Sequence, residues 1–593
     1  MKFLLVAVNA KYIHSNPAIY SLYAYAEAKY GHMIEIAEYT INQRTEDILA
    51  MIYERKPDAI GFSTYIWNWN VISEILSNLS KVLPDTDIWL GGPQVSYNAD
   101  QVLAQFPNVK GIMVGEGEVT FSEILEKYEK GNVNDFASVD GLCLRTGYTK
   151  PRGMTDLSGL PFLYHNMEPF TNRIIYYESS RGCPYRCSYC LSSIDKTVRL
   201  RDMDLVKKEL DFFLKNKVNQ VKFVDRTFNC AHDHAMEIWK YLYEHDNGIT
   251  NFHFEISADI IKDEELEMLN KLRPGQVQLE IGVQSVNART LEAINRKMDL
   301  ERLEYVVAKI RESHNIHQHL DLIAGLPYED YDSFGRSFDR VYGMRPDQLQ
   351  LGFLKVLSGA PISSQTEKYG IVYTKQPPYE VLYTNWLSYS DVIRLKKIEE
   401  MVEMYYNSNQ FINTLNYLVK AFKSPFAMFE SLADYFEEQG CFINSPSRAY
   451  RYVVLLDFAN KYDEGKEEIY KELLTYDLYL RENMKSRPDF CKTITDEKHK
   501  KYRLSFYREE EKTRHFLPEL SQYDGRQLSG MTHLEPFKYP VWDMEKMLHN
   551  KEIPESVNDQ EYYILFDYSR KNPLTKEAFT ILNLPKGSAP IGK

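Results

Sequence analysis

The stretch Ser180-Arg-Gly-Cys-Pro-Tyr-Arg-Cys-Ser-Tyr-Cys-Leu191 places three cysteines, Cys183, Cys187 and Cys190, within eight residues and no fourth beside them. Three thiolates with one position left open suit a cubane iron–sulfur cluster whose last iron stays free for a ligand. A structural zinc site asks for four closed ligands, commonly as two pairs, and the only other nearby candidate is His165. A disulfide is disfavoured too, because the seven cysteines of this 593-residue chain show no secretory framework. Cys143, Cys230, Cys441 and Cys491 have no partner spacing and read as buried free thiols. Cys230, just after the Asp225 loop, is the one of these to be considered as a ligand or radical relay.

Working outward from the motif, residues 166–365 alternate strand and helix patterns. A strand over Arg173–Tyr177 leads into the cysteine loop, and Gln220–Val224 leads into Asp225-Arg-Thr-Phe228. Phe252-His-Phe-Glu-Ile-Ser257 alternates, Val277–Ser285 ends in a Gly-x-Gln-Ser loop, and Leu320–Pro327 ends in Gly-Leu-Pro. Polar residues at the carboxyl ends of consecutive parallel strands lie where a barrel builds its active site.

Upstream, residues 1–145 give strands at Phe3–Val8, Ile34–Tyr39, Ala59–Ile66, Ile88–Leu90 and Gly111–Val114, with helices such as Val71–Leu83 and Thr120–Tyr128 between them. That alternation predicts a doubly wound parallel sheet, an α/β fold whose ligand sits beyond the strands' carboxyl ends. The loops there are Asn9–Asn16, Ser63–Asn70, Gly91-Gly-Pro-Gln-Val-Ser-Tyr97 and Gly115-Glu-Gly-Glu118. Glycine at such ends lets a ligand approach the backbone closely. Residues 146–165, with Pro151, Gly153, Gly159 and Pro161, read as a linker.

The C-x3-C-x2-C spacing, with Tyr189 just before the third cysteine, resembles the signature of the radical S-adenosylmethionine (SAM) superfamily. The Gly-Gly-Pro and Gly-Glu-Gly-Glu elements resemble the cobalamin-binding module of its cobalamin-dependent members, and the Gly-x-Gln-Ser and Gly-Leu-Pro turns resemble the branch shared by coproporphyrinogen-type and methylthiotransferase-type enzymes. The resemblance implies a Rossmann-like cobalamin-binding domain (1–145), a linker (146–165) and a partial (β/α)6 radical SAM barrel (166–365). It implies a [4Fe-4S] cluster on Cys183, Cys187 and Cys190, whose open iron chelates SAM to generate a 5′-deoxyadenosyl radical. Tyr189, Asp225, Thr227, Glu255, Ser257, Glu280, Gln284 and Asp321 match positions expected to hold SAM. Asn9, Ser63, Thr64, Tyr65, Trp67, Gly91, Gly92, Pro93, Val95, Gly115, Glu116, Gly117 and Glu118 match the cobalamin loops. The Asp-x-His-x-x-Gly element by which other cobalamin proteins ligate cobalt is absent, and the context of His14 does not match it. Tyr65 or Trp67 is then the residue expected under the cobalt, although large aromatics also staple loops to helices.

The reaction implied is methylation of an unactivated carbon by way of the deoxyadenosyl radical and methylcobalamin; the alternative is a radical rearrangement, oxidation or cyclisation with the same cofactors. A reading from another class is a binding or electron-transfer protein that does not cleave SAM. An electron donor of flavodoxin or ferredoxin type is expected, with a small-molecule, lipid or peptide substrate.

Residues 366–593 change character to helical patterns such as Ser390–Tyr405, Phe411–Lys423 and Pro425–Gln439, the last with Ser424 as a cap. Leu395–Met401 and Tyr405–Ser408 resemble an uncharacterised C-terminal domain (DUF4080-like) of one subset of the family. Leu474–Phe490 and Tyr562–Tyr568 suggest a small mixed region. This mainly helical domain is expected to cap the barrel and shape the substrate pocket.

A net charge of −13 argues against binding nucleic acid, and the basic Lys498–Arg503 patch runs at once into acidic Glu509–Glu511, as a solvated face would. No apolar run approaches the roughly 18 residues that span a bilayer. The opening Met-Lys-Phe-Leu-Leu-Val-Ala-Val is too short for a signal peptide and reads as a strand. Together with thiolates that must stay reduced, this gives a cytoplasmic, oxygen-sensitive protein as the expectation.

Overall fold

The computed structural model describes residues 1–484, 487–491, 497–549, 562–583 and 591–592. Two compact units emerge, Met1–Tyr331 with Gly352–Val392 and Asp332–Leu351 with Ile393–Lys593.

The first unit opens with a seven-stranded sheet in the order β2-β1-β3-β4-β5-β6-β7. Its strands are β1 (Phe3–Asn9), β2 (Ile34–Thr40), β3 (Ala59–Ser63), β4 (Asp87–Gly91), β5 (Val109–Met113), β6 (Leu142–Leu144) and β7 (Gly147–Tyr148). All seven residues of β1 are buried, because helices cover both faces of the sheet. Alternation divides them: Leu4, Val6 and Val8 join Ile60, Phe62 and Leu90 in one core, while Phe3, Leu5 and Ala7 join Trp89, Phe121 and Ile124 in the other. Each buried aliphatic side chain contributes roughly 1.5–3 kcal/mol.

The five strands read from sequence pair in parallel, and β6 and β7 then add an antiparallel edge. That hairpin straddles the expected start of the linker; strands of three and two residues are too short to show a period. β3 also ends at Ser63, three residues earlier than the apolar run through Ile66 suggests. Thr64 sends both its N–H and its hydroxyl to the Gly91 carbonyl (2.8 and 2.7 Å), while the Asn68 side chain bonds the Val8 and Ser63 carbonyls and the Tyr65 N–H. These side-chain bonds outcompete the ladder and turn the chain away from the sheet.

Five parallel strands follow: β8 (Ile175–Tyr177), β11 (Gln220–Phe223), β12 (Asn251–Ile256), β13 (Val277–Gln284) and β14 (His317–Ala324), adjacent in that order. A sixth strand, β15 (Gln348–Phe353), completes the sheet's order. Between β8 and β11 a small antiparallel ribbon, β9 (Ser180–Arg181) with β10 (Arg199–Leu200), frames the cysteine loop.

The second unit is helical, with Pro425–Glu438, Arg448–Tyr462, Glu467–Arg481 and Glu497–Thr513 its longest segments, and carries a four-stranded antiparallel sheet from Thr532 to Gly592. Ser424 caps its helix by accepting from the Ala427 N–H. The Leu474–Phe490 expectation resolves into the end of a helix, with residues 485–486 outside the described set. The basic patch lies on the Glu497–Thr513 helix, mostly exposed, with His499 alone tucked in against the Tyr563 hydroxyl at 2.9 Å. No helix among the described residues is long and apolar enough to cross a membrane.

One buried acid organises this unit. Asp477 accepts from the N–H and side-chain amide of Asn413 and from the N–H and hydroxyl of Thr414, all at 2.7–3.1 Å. Replacing it with alanine orphans four donors and is expected to destabilise the protein by about 3–5 kcal/mol in denaturant titration. Burial pushes its carboxyl up to about 6. The folded state therefore holds this proton more tightly than the unfolded chain, whose value is near 3.9. Its contribution is full below that value and is lost as pH rises through about 6; Asp477→Asn should flatten that part of the stability profile.

Candidate functional site

Ten of the residues singled out from sequence line one cavity of about 180 Å³ in the first unit. Cys183, Cys187, Cys190 and Tyr189 come from the loop after β9, Thr227 from the loop after β11, and Glu255 and Ser257 from β12 and its end. Glu280 and Gln284 lie on β13 and Asp321 on β14. Asp225 is the exception, lying fully buried behind the wall.

Asp225 nonetheless shapes the loop. Its carboxylate accepts from the Ser179 N–H (3.0 Å) and from the hydroxyls of Ser179 (2.7 Å) and Ser180 (2.6 Å), tying the end of β11 to the residues that lead into the cysteines. Burial raises its carboxyl to about 6. Gly182 then takes a φ of +99°, and a Cβ there would stand 2.0 Å from the Thr197 carbonyl oxygen. Only glycine combines that backbone with that approach. Cys183 N–H donates to the Asp195 carbonyl and Ser188 N–H to that of Ile294, so both ends of the loop are held.

Around the thiols, Thr227 Oγ1 lies 3.5 Å from Cys183 Sγ and Arg296 Nη1 3.7 Å from Cys187 Sγ. No fourth cysteine or histidine lines the cavity, and His165 packs edge-on against Phe162 instead. Among the described residues no group of three or more His, Cys, Asp or Glu side chains is gathered as one metal ion would require. Three thiols lining one cavity with no fourth cysteine or histidine beside them suit a cluster that keeps one iron open. The cavity also suits a polar ligand. Gln284 sits at φ +72° beside a bulge in β13, and its Oε1 is buried without a hydrogen-bond partner. Cys230 does not line the cavity, and burial pushes its thiol up to about 11.

The cobalamin candidates gather at the carboxyl ends of β1, β3, β4 and β5. Several are already engaged by the protein itself. Asn9 donates to Glu38 Oε1, Ser63 bonds Asn16, Thr64 bonds Gly91, and Val95 is fully buried in the short helix begun by Pro93. Gly92 is likewise taken up by close packing on Thr64, and what remains open is the backbone at Gly115 and the aromatic rings. Gly92 has φ +106°, with Thr64 O only 2.4 Å from where a Cβ would be. Gly115 has φ +83° with open space beside it. Tyr65 and Trp67 stack at 4.3 Å and 10°, and Trp67 is 46% exposed. Open backbone at Gly115 and a flat, part-exposed aromatic pair on loops at the same sheet edge fit a broad planar cofactor.

Glu116 and Glu118 face the other way. Arg181, two residues before Cys183, reaches Glu118 (3.0 Å), Glu116 (3.4 Å) and Glu178 (2.7 Å), and Arg199 reaches Glu116 (2.5 Å) and Asp195 (3.0 Å). Burial opposes ionisation of Glu116, yet the Arg199 hydrogen bond, the Thr155 N–H and the Arg181 charge bring its carboxyl down to about 2. The Gly-Glu-Gly-Glu loop and the cysteine loop are thus joined by charge. Two further ties, Arg173 to Glu38 (2.6 Å) and His14 Nδ1 to the Tyr176 hydroxyl (2.6 Å), link the same sheet to β8.

Sequence reasoning passed over Arg181, Arg199, Arg226 and Arg296, along with Tyr185, Ser192 and Ser193. Arg181 and Arg226 stand inside quoted motifs, but a lone arginine carries no spacing signal.

Three family models match the chain: the B12 binding domain at residues 4–125, the radical SAM superfamily at residues 177–341, and a protein family of unknown function (DUF4080) at residues 367–566. The chain therefore carries a B12-binding domain, a radical SAM domain and a DUF4080 region in that order. The radical SAM domain implies a [4Fe-4S] cluster and SAM as cofactors, and the B12-binding domain implies cobalamin. The cobalamin-dependent radical SAM methyltransferase TokK of Streptomyces tokunonensis is 24% identical over 53% of this chain and 50% of its own length. The anaerobic magnesium-protoporphyrin IX monomethyl ester cyclase of Rubrivivax gelatinosus is 22% identical over 54% of this chain and 60% of its own. The chain thus spans about half the length of the curated relatives it matches. Among solved structures, the cobalamin-dependent SAM radical enzyme OxsB with aqua-cobalamin bound superposes with a TM-score of 0.56 at 15% identity, over 80% of this chain and 78% of its own, a likeness of fold.

Two substitutions test the framing of the loop. Gly182→Ala should lower the iron and sulfide bound per chain after anaerobic reconstitution while leaving far-ultraviolet circular dichroism unchanged. Asp225→Ala, which orphans three donors, should also cost about 2–4 kcal/mol of stability by denaturant titration.

Proposed function

We propose that the protein is an enzyme that methylates an unactivated carbon of its substrate, using all three cofactors. The observation that supports this most directly is Arg181, whose one guanidinium bonds the loop leading to the cysteines and the glycine-rich loop proposed to hold cobalamin. A substrate carbon must meet both reactive groups, and this contact holds their supporting loops together. When bound, the cluster with SAM supplies a radical able to abstract hydrogen, and cobalamin supplies the methyl donor.

In this reading Cys183, Cys187 and Cys190 hold the cluster, with Thr227 and Arg296 placing a hydroxyl and a positive charge beside two of the sulfurs. Tyr189, Glu255, Ser257, Glu280, Gln284 and Asp321 offer the polar groups for SAM, and Asp225 acts from behind by holding Ser179 and Ser180. The backbone at Gly91, Gly92, Gly115 and Gly117, together with Tyr65 or Trp67, would hold the corrin. Glu116 and Glu118 serve by fixing the loop. The domain division at 1–145, 146–165, 166–365 and 366–593, a flavodoxin- or ferredoxin-type electron donor and a reducing cytoplasm belong to the same proposal. The cyclase relative favours a second reading, cyclisation or oxidation without methyl transfer.

Anaerobic turnover of reconstituted, cobalamin-loaded protein separates the two. Methylation predicts S-adenosylhomocysteine alongside 5′-deoxyadenosine in mass-spectrometric analysis; deoxyadenosine alone selects the second reading. Cys187→Ala should abolish deoxyadenosine formation, and deoxyadenosine formation that survives it would refute both.

A further inference from the structure

A parallel barrel is ordinarily filled with branched apolar side chains. Here β11 to β14 place Lys222, His253, Glu255, Glu280, His319 and Asp321 on one face, with Lys222 opposite His253, Glu255 opposite Glu280 and Glu280 opposite His319. Most of these have their counter-charge at hand. Lys222 Nζ and His253 Nε2 each lie 3.0 Å from Glu280 Oε2, and His319 Nε2 lies 3.1 Å from Asp321 Oδ1. The cationic side chains framing the site are likewise committed: Arg181 and Arg199 to carboxylates, and Arg296 to the Gly282 carbonyl and Cys187.

Arg226 differs. It stands on the loop directly after β11, lines the cavity, is solvent-exposed, and among the described residues has no carboxylate within ion-pair distance. It shares that cavity with Glu255, and its charge acts both on Glu255 and on Tyr65 of the aromatic loop after β3. The cavity is where the proposed reaction needs its substrate.

We infer that Arg226 anchors an anionic group, a carboxylate or a phosphate, of a small polar substrate. The guanidinium fork matches either group bidentately. The ionic barrel interior is a poor host for an acyl chain, because buried charges stripped of water must keep polar partners. Glu255 on the same cavity wall does not oppose an anion strongly, since burial pushes its carboxyl up to about 7 and leaves it partly neutral at physiological pH. The inference rests on the proposed function only in taking this cavity as the substrate site.

The test uses full-length, cluster-reconstituted protein with SAM present, titrated separately with inorganic phosphate and with 13C-acetate and followed by 31P and 13C line broadening. SAM affinity is measured on the same samples by equilibrium dialysis. Wild type should bind at least one anion. Arg226→Gln should weaken that binding about tenfold or more, as expected when charge-assisted bonds are removed, while Arg226→Lys keeps it within about threefold. SAM affinity should be the same in all three proteins. Tighter phosphate binding identifies a phosphate ester as the source of the group, tighter acetate binding a carboxylic acid. No anion binding in wild type, equal binding in Arg226→Gln, or a parallel loss of SAM affinity in that variant overturns the inference, the last by assigning Arg226 to the carboxylate of SAM. Anion binding at Arg226 in a chain that never consumes SAM would sink the proposed function and leave this inference standing.

Discussion

Carboxylates taken out of water must find partners, and in the first unit that requirement does structural work. Glu116, Glu118 and Glu178 share Arg181, and Glu116 and Asp195 share Arg199. Removing one member of such a partly buried set leaves the others uncompensated, which typically costs about 1–3 kcal/mol. The set cannot relax locally, because Glu116 and Glu118 stand at the start of a helix beside the seven-stranded sheet, while Glu178, Asp195 and both arginines flank the cysteine loop. The cysteine loop and the glycine-rich loop are therefore tied to one another by charge pairing.

A common device recurs at the other loops. Asp225 holds Ser179 and Ser180, Asn68 holds β1, β3 and the aromatic loop, and Asn229 exchanges two bonds with the backbone of Ser257. In each case a buried polar side chain satisfies backbone groups left free where a strand ends. Such a scaffold confines the exposed functional groups to few conformations without a ligand to order them. Glycine completes it at Gly92 and Gly182, where no side chain fits.

Much of this was legible beforehand for physical reasons. β1 is a continuous apolar run because it is covered on both faces, and the cysteine spacing is local, so both could be read directly. The polar ends of β12, β13 and β14 were also found, since alternation marks which residues face inward. Other features could not be seen. Asp225 was expected at a ligand and instead lies behind the wall, because sequence does not say which side of a turn a carboxylate faces. Glu116 and Glu118 were read as cofactor contacts, whereas the arginines that occupy them lie more than 60 residues away. The β6–β7 hairpin was too short to show a period, and β3 was overextended because Ile66 continues its apolar run past the point where Thr64 and Asn68 turn the chain.

The charge-paired seam also bears on how such a chain can change over time. Positions 116, 118, 181 and 199 lie in two different domains, yet each depends on the sign of the others. Reversal of one charge is tolerable only if another reverses with it, so these four positions should drift as a group across related sequences. By the same logic, a glycine-rich sheet borrowed from another family member would bring the wrong acids to these bases. Recombination between relatives is thus constrained to exchange the two domains as a pair, even though each has a hydrophobic core of its own.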